Sequence, residues 1–301
     1  MSNQAAASLE TFSKRREFYV GIDSDGCVFD SMELKHKECF CPAFINTFEM
    51  QAVSRYAREV WEFVNLYSRT RGVNRFHAVL RALELTAGRS EVQERGVSVP
   101  RLPDLADWVA RESKLGNPQL EAEVKKSGNP DLELALRWSS EVNDAVARIV
   151  RGVPPFPAVK PALERLSSEA DVVVVSQTPA EALLREWAEQ EIDQFVSLIA
   201  GQELGTKAEH LAATAGESPG TVYEPDHVLM IGDAPGDQRA AESVSALFYP
   251  ILPGREEASW DRLLGEGLDR FLGGRFAGDY QEKLLAEFDA VLPEVPPWSE
   301  A

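Results

Sequence analysis

The segment VGIDSDGCVFD (20–30) decides how this chain is read. The apolar run Phe18 to Ile22 stops at two aspartates one residue apart, Asp23 and Asp25, and Gly26 follows. In open α/β sheets, ligands bind in the crevice beyond the carboxyl ends of strands. If the run is a buried strand, both carboxylates project into such a crevice, and Gly26 lets the backbone turn sharply there. The bland alternative is a strand-ending turn, because Asp and Gly are common turn formers.

Further apolar runs fit buried parallel strands: Val172 to Val175, Val228 to Ile231, Ala246 to Leu252 and, more weakly, Phe195 to Ala200. Helical patterns fall between them, over Val159 to Ser168, Pro179 to Glu189, Lys207 to Thr214 and Pro235 to Ser243. Strand and helix therefore alternate from about residue 155 onward, which predicts an α/β fold, a parallel sheet with helices on both faces. The stretch from Ser31 to Pro154 breaks the alternation and reads as helices only, with one long pattern from Phe44 to Tyr67. An all-α domain over 32–154 is thus expected inside a core made of 1–31 and 155–301. The tail, PEVPPW, is expected to dock Trp298 on that core, and the polar start of the chain is expected to be mobile.

Three later stretches carry chemistry of the same kind. In HVLMIGDAPGD (227–237) an apolar strand again ends in an acid, Asp233, with Asp237 four residues on. Carboxylate oxygens suit a hard cation such as Mg²⁺, so Asp23 and Asp233 from two strand ends could hold one ion, with Asp237 supplying a water-mediated contact or a brace. A helix N-cap is the plainer role for either acid. In DVVVVSQTP (171–179), Ser176 follows a strand and could bind a phosphoryl oxygen, with Gln177 beside it as a candidate substrate contact. Lys207 begins a helix and would be unremarked alone, but it could pair with a phosphate as a point charge.

In this order the four stretches resemble the motifs of the haloacid dehalogenase superfamily, in its phosphoglycolate phosphatase-like branch. Asp23-Ser24-Asp25-Gly26 resembles the first motif, Ser176 the second, Lys207 the third, and Gly232-Asp233 with Asp237 the fourth. Cys27 departs from the pattern, where many members carry threonine. The resemblance implies a Rossmann-like three-layer core with a helical cap between motifs one and two. It also implies a magnesium-dependent phosphatase that hydrolyses a small phosphorylated metabolite. In that scheme Asp23 is the nucleophile, Asp25 the acid and base, and Ser176 and Lys207 bind the phosphoryl group. Asp23, Asp233, Asp237 and the backbone carbonyl of Asp25 form the Mg²⁺ site. A phosphomutase or a phosphonate hydrolase on the same core, or a catalytically silent binding protein, are the other readings. The presence of Asp25 argues against dehalogenation, which needs no second acid.

Arg69, Arg71 and Arg75 surround Gly72 and could meet an anionic substrate, though a solvated turn is the alternative. The net charge of −18 argues against nucleic acid and anionic membranes as partners. His36, Cys39 and Cys41 are close enough to suggest a soft-metal site, but no second half of a ligand set exists in the sequence. Three cysteines do not make a disulfide framework, and no secretory signal is legible, so a cytoplasmic location is expected.

Overall fold

The computed structural model describes residues 9–216 and 220–299, so the first residues of the polar lead-in lie outside the described residues. Five strands form one sheet: β1 (Phe18–Ile22), β2 (Ala170–Val175), β3 (Leu198–Ala200), β4 (Val228–Gly232) and β5 (Leu247–Pro250). All pairings are parallel, in the order β3-β2-β1-β4-β5. This is the α/β fold expected from the alternating pattern. Residues buried along the whole of β1, β2, β4 and β5 explain why these runs read as continuous apolar stretches rather than alternating ones.

The strand order fixes where a site can form. The chain leaves β1, builds β2 and β3 on one side, then returns to place β4 and β5 on the other. The switch point therefore lies between β1 and β4, where crossovers diverge and open a crevice. In register, Ile22 faces Ile231 across β1 and β4, and Ile22 faces Val174 across β1 and β2. Consequently Asp23, Asp233 and Ser176 all emerge at one end of three adjacent strands.

The chain divides into two compact units, one of residues up to Ser31 with Gly152–Val291, the other of Met32–Arg151 with the residues from Leu292 onward. The first contains the sheet. Its core joins strand residues to Val159, Leu163 and Trp187 and to Trp260, Leu263, Phe271 and Phe276 of the segment beyond β5. The extension after residue 254 is thus part of the sheet's packing, through helices Glu256–Arg262, Leu268–Leu272 and Asp279–Val291.

The second unit is all helical, including Cys41–Thr47, Ser54–Asn65, Arg75–Gly88, Pro103–Arg111, Asn117–Ser127 and Pro130–Ile149. The single pattern expected over Phe44 to Tyr67 is broken. Glu49 adopts a left-handed backbone with φ 55°, and the neighbours on either side, Phe48 and Met50, are both buried. The helix closes there as the Met50 N–H donates to the Ile45 carbonyl (2.9 Å) and the Glu49 N–H to the Asn46 carbonyl (3.3 Å), a left-handed C-terminal cap that ends it at Thr47. Trp298 also departs from expectation: it packs edge-on against Phe63 at 5.4 Å and lies under the Arg89 guanidinium at 4.6 Å, both in the helical unit. A planar guanidinium favours an aromatic face. Among the described residues, no helix is long and apolar enough to cross a membrane.

Candidate active site

Backbone pairing sets the site. The N–H of Asp23 donates to the Ile231 carbonyl (3.0 Å), which extends the β1–β4 ladder by one residue and brings the two acid-tipped strand ends side by side. Asp23, Asp233 and Asp237 are buried, and one carboxylate oxygen from each lies within 4.8 Å of the others. Asp237 is held by two backbone donors: Oδ2 accepts from the N–H of Asp233 (3.2 Å) and of Ala234 (3.0 Å). This closes the first turn of the helix Pro235–Ser243. The fit requires glycine at 232, because a Cβ there would lie 2.4 Å from the Asp237 side chain.

Lys207 completes the cluster. Its Nζ lies 2.7 Å from Asp23 Oδ2 and 2.5 Å from Asp237 Oδ1. The local sequence explains its placement. Thr206 caps the helix Lys207–Ala215 through a reciprocal capping box with Glu209, which fixes Lys207 as the first helical residue. Burial works against the Lys207 ammonium, but Asp23 and Asp237 outweigh it and hold the group charged well above its ordinary value. Burial likewise pushes the Asp23 carboxyl well above the usual carboxylate range; Lys207 pulls it back, and Asp237 and Asp233 push it up again.

These charges test whether a cation fits. Three buried carboxylates face one ammonium, so two negative charges remain uncompensated when all are ionised. Burying unpaired charge is costly. A divalent cation balances that surplus, and an all-oxygen donor set is what Mg²⁺ selects. Asp237 spends both oxygens on Lys207 and the two backbone donors, a bracing role. Asp23 is held likewise, Oδ1 by the Ser24 N–H (2.8 Å) and Oδ2 by Lys207 (2.7 Å), so its carboxylate is fixed in orientation beside Asp233.

Asp25 belongs to a different environment. It is half-buried, and its carboxylate accepts from two hydroxyls, Ser31 Oγ on Oδ1 and Thr178 Oγ1 on Oδ2 (2.7 Å). The turn between the two acids is rigid: the Ser24 carbonyl accepts from the N–H groups of Val28 (2.9 Å) and Phe29 (3.1 Å), and Gly26 takes φ 76°. Two tryptophans buttress it. Trp187 Nε1 donates to Ser24 Oγ (3.0 Å), and Trp260 Nε1 donates to the Cys27 carbonyl (2.7 Å). Cys27 itself is buried, with Sγ 3.7 Å from the Ile231 carbonyl. Burial pushes its thiol well up, and Asp233, Asp23 and Asp237 add to the effect, so it stays a neutral thiol.

Ser176 sits at the end of β2, its N–H bonded to the Ala200 carbonyl (3.0 Å), and its Oγ accepts from the Thr178 N–H (3.2 Å). Gln177 turns its amide to the Gly205 carbonyl (2.9 Å), a contact with the loop that leads to Lys207. The three arginines lie in the helical unit. Arg71 is buried and donates to the Leu66 carbonyl (2.9 Å). Arg75 donates to Ser139 Oγ (3.0 Å) and Asn143 Oδ1 (2.7 Å) and stacks over Phe40, where burial lowers its pKa to about 10. The Arg69 N–H donates to the Pro293 carbonyl (3.4 Å). His36 stacks on Phe40 at 4.6 Å, and Cys39 and Cys41 are buried. Among the described residues, the acidic triad is the group whose ligand atoms converge.

Sequence reasoning missed Ser31, Thr178, Trp187 and Trp260. Thr178 carried the only local signal, a hydroxyl two residues past Ser176 and just before Pro179. That position reads as a helix cap, but its hydroxyl reaches Asp25 instead. The tryptophans reach loops 163 and 233 residues away in sequence, which no local pattern encodes.

No protein-family model matches the chain, and no curated protein does. Solved structures do resemble it. One is a predicted phosphoglycolate phosphatase from Haemophilus somnus, 15% identical, covering 79% of this chain and 86% of that one with a TM-score of 0.46. Another is a haloacid dehalogenase-like family hydrolase from Streptococcus pneumoniae, 15% identical over 84% and 98% of the two chains, with a TM-score of 0.44. A third is a HAD-superfamily hydrolase, subfamily IA, variant 1, from Geobacter sulfurreducens, 16% identical over 79% and 89%, with a TM-score of 0.39. At such identities and scores no chemistry is carried over from them.

Proposed function

We propose that this chain is a haloacid dehalogenase-type phosphoric monoester hydrolase, Mg²⁺-dependent and acting on a small phosphorylated metabolite. One observation carries the reading: Asp23 and Asp233 leave adjacent parallel strands into a buried cluster with Asp237, and Lys207 lies against Asp23. A helix-capping role would explain Asp237 alone. It does not explain why three acids are buried together with one lysine.

In this mechanism Asp23 Oδ attacks phosphorus in line with the departing ester oxygen, giving an aspartyl-phosphate. Asp25 gives its proton to that oxygen as the P–O bond breaks. It then takes a proton from the water that hydrolyses the aspartyl-phosphate, which restores both carboxyl groups. Lys207 and Ser176 bind phosphoryl oxygens, and Lys207 opposes the burial that disfavours the ionised, nucleophilic form of Asp23. Asp23, Asp233 and the Asp25 carbonyl would hold Mg²⁺, which when bound offsets the charge of the phosphate and orients it. The helical unit is the counterpart of the implied cap, and choice of leaving group is its proposed role. Buried free thiols at Cys27, Cys39 and Cys41 support a reducing compartment such as the cytoplasm.

The test is a panel of phosphorylated metabolites and aryl phosphates, assayed with Mg²⁺ and with excess chelator. Release of inorganic phosphate that stops on chelation and returns with Mg²⁺ is expected. Turnover that ignores the chelator, or none across the panel, overturns the reading. Recovery of an isomeric phosphate ester instead of free phosphate moves the assignment to a mutase.

A further inference from the structure

We propose that Thr178 is a positioning residue that holds the Asp25 carboxylate for proton transfer, an inference that rests on the phosphatase reading above. Thr178 Oγ1 lies 2.7 Å from Asp25 Oδ2, and the two residues are 153 positions apart. Ser31 Oγ holds the other oxygen, so the carboxylate is gripped from two sides. A carboxylate on a single torsion would rotate between orientations, whereas two hydroxyl donors fix its plane. Proton transfer to a leaving oxygen depends steeply on that geometry.

Thr178 is itself immobilised. Its N–H donates to Ser176 Oγ (3.2 Å), and its carbonyl accepts from the Gln202 N–H (3.1 Å). Pro179 follows and restricts the backbone further. On either side of Thr178, the Ala180 N–H donates to Glu203 Oε2 (3.0 Å) and Gln177 Nε2 donates to the Gly205 carbonyl (2.9 Å). The loop after β2 is therefore latched to the loop after β3, which leads directly to Thr206 and Lys207. Through Thr178 that latched pair of loops sets Asp25 in the same frame as Ser176 and Lys207. A capping role is not the explanation, because the helix Ala180–Glu189 begins at Pro179 without a side-chain cap bond.

The experiment compares wild type, Thr178→Val, Thr178→Ser and Asp25→Ala on aryl phosphates from p-nitrophenyl to phenyl. Nitrophenolate departs without a proton; phenolate gains from one. Thr178→Val keeps the shape and removes the hydroxyl. It is expected to lower kcat/KM, which reports only the steps up to the aspartyl-phosphate where the leaving group differs, about ten-fold for phenyl phosphate while changing that for p-nitrophenyl phosphate little. Thr178→Ser is expected to restore the phenyl phosphate rate. Equal losses of kcat/KM on both substrates, or failure of the serine variant to rescue while its melting temperature matches wild type, overturn the positioning role. Full phenyl phosphate activity in Thr178→Val beside a crippled Asp25→Ala also overturns it, and leaves the phosphatase reading standing. No turnover by wild type of either this series or the metabolite panel overturns both.

Discussion

Two aspartates are buried near opposite ends of the same sheet, and they are buried in different ways. Asp171 lies at the start of β2, opposite Tyr19, where its Oδ2 accepts from the N–H groups of Arg15 (2.8 Å) and Arg16 (2.9 Å) and from the Tyr223 hydroxyl (2.8 Å). Three neutral donors converge on that one oxygen, and the acid ties the segment before β1 to the sheet. Asp23 lies just past the other end of β1, among two more carboxylates and one ammonium. A single buried acid satisfied by hydrogen bonds is architecture. A buried acid whose neighbours leave surplus charge is a site awaiting a cation and an anion. Burial is the same in both places; the company each acid keeps makes the difference.

The largest effect separates the two in activity. Asp23→Asn is expected to cut turnover by on the order of 10⁴–10⁶-fold with an unchanged melting curve, whereas Asp171→Asn leaves kcat near wild type. Steady-state assays on protein freed of host phosphatase decide it, and retained activity in the Asp23 variant breaks the contrast.

Stability reverses the ranking. Asp171→Ala strands a buried tyrosine hydroxyl and two backbone donors and is expected to cost about 3 kcal/mol, measured by urea unfolding. A loss under ~0.5 kcal/mol shows that water replaces the carboxylate and that the bonds are dispensable.

Metal should sharpen the comparison from the other side. At 100 times its dissociation constant, Mg²⁺ should stabilise the folded chain by about 2.7 kcal/mol, read as a rise in melting temperature. Asp233→Asn should abolish the rise and Asp171→Asn should keep it. An equal rise in all three proteins places the ion elsewhere.

The smallest effect concerns the thiols. Burial pushes Cys41 up to about 12 and raises Cys27 and Cys39 as well. A raised thiol pKa means less thiolate at a given pH, so at pH 8 the Cys41 thiolate is about one part in 10⁴. The native protein is expected to react negligibly with a thiol reagent and to expose three thiols in denaturant. A fast-reacting native thiol contradicts the packing around it.

The sequence by itself determined the parallel sheet and the acids at its strand ends. Both are local: strand runs show as unbroken apolar stretches, and a strand's last residue points where the strand points. It marked Asp23, Asp25, Ser176, Lys207, Asp233 and Asp237 one by one, each beside an ordinary alternative. Only the tertiary structure decided which of these meet. The β1–β4 register set Asp23 beside Asp233, and Lys207 reached them because its helix cap aims it there. It also decided the partners of Asp25, the tryptophans behind the first loop, the break at Glu49 and the seat of Trp298. Those contacts join residues far apart in sequence, and their energies depend on packing and charge compensation that exist only once the chain has folded.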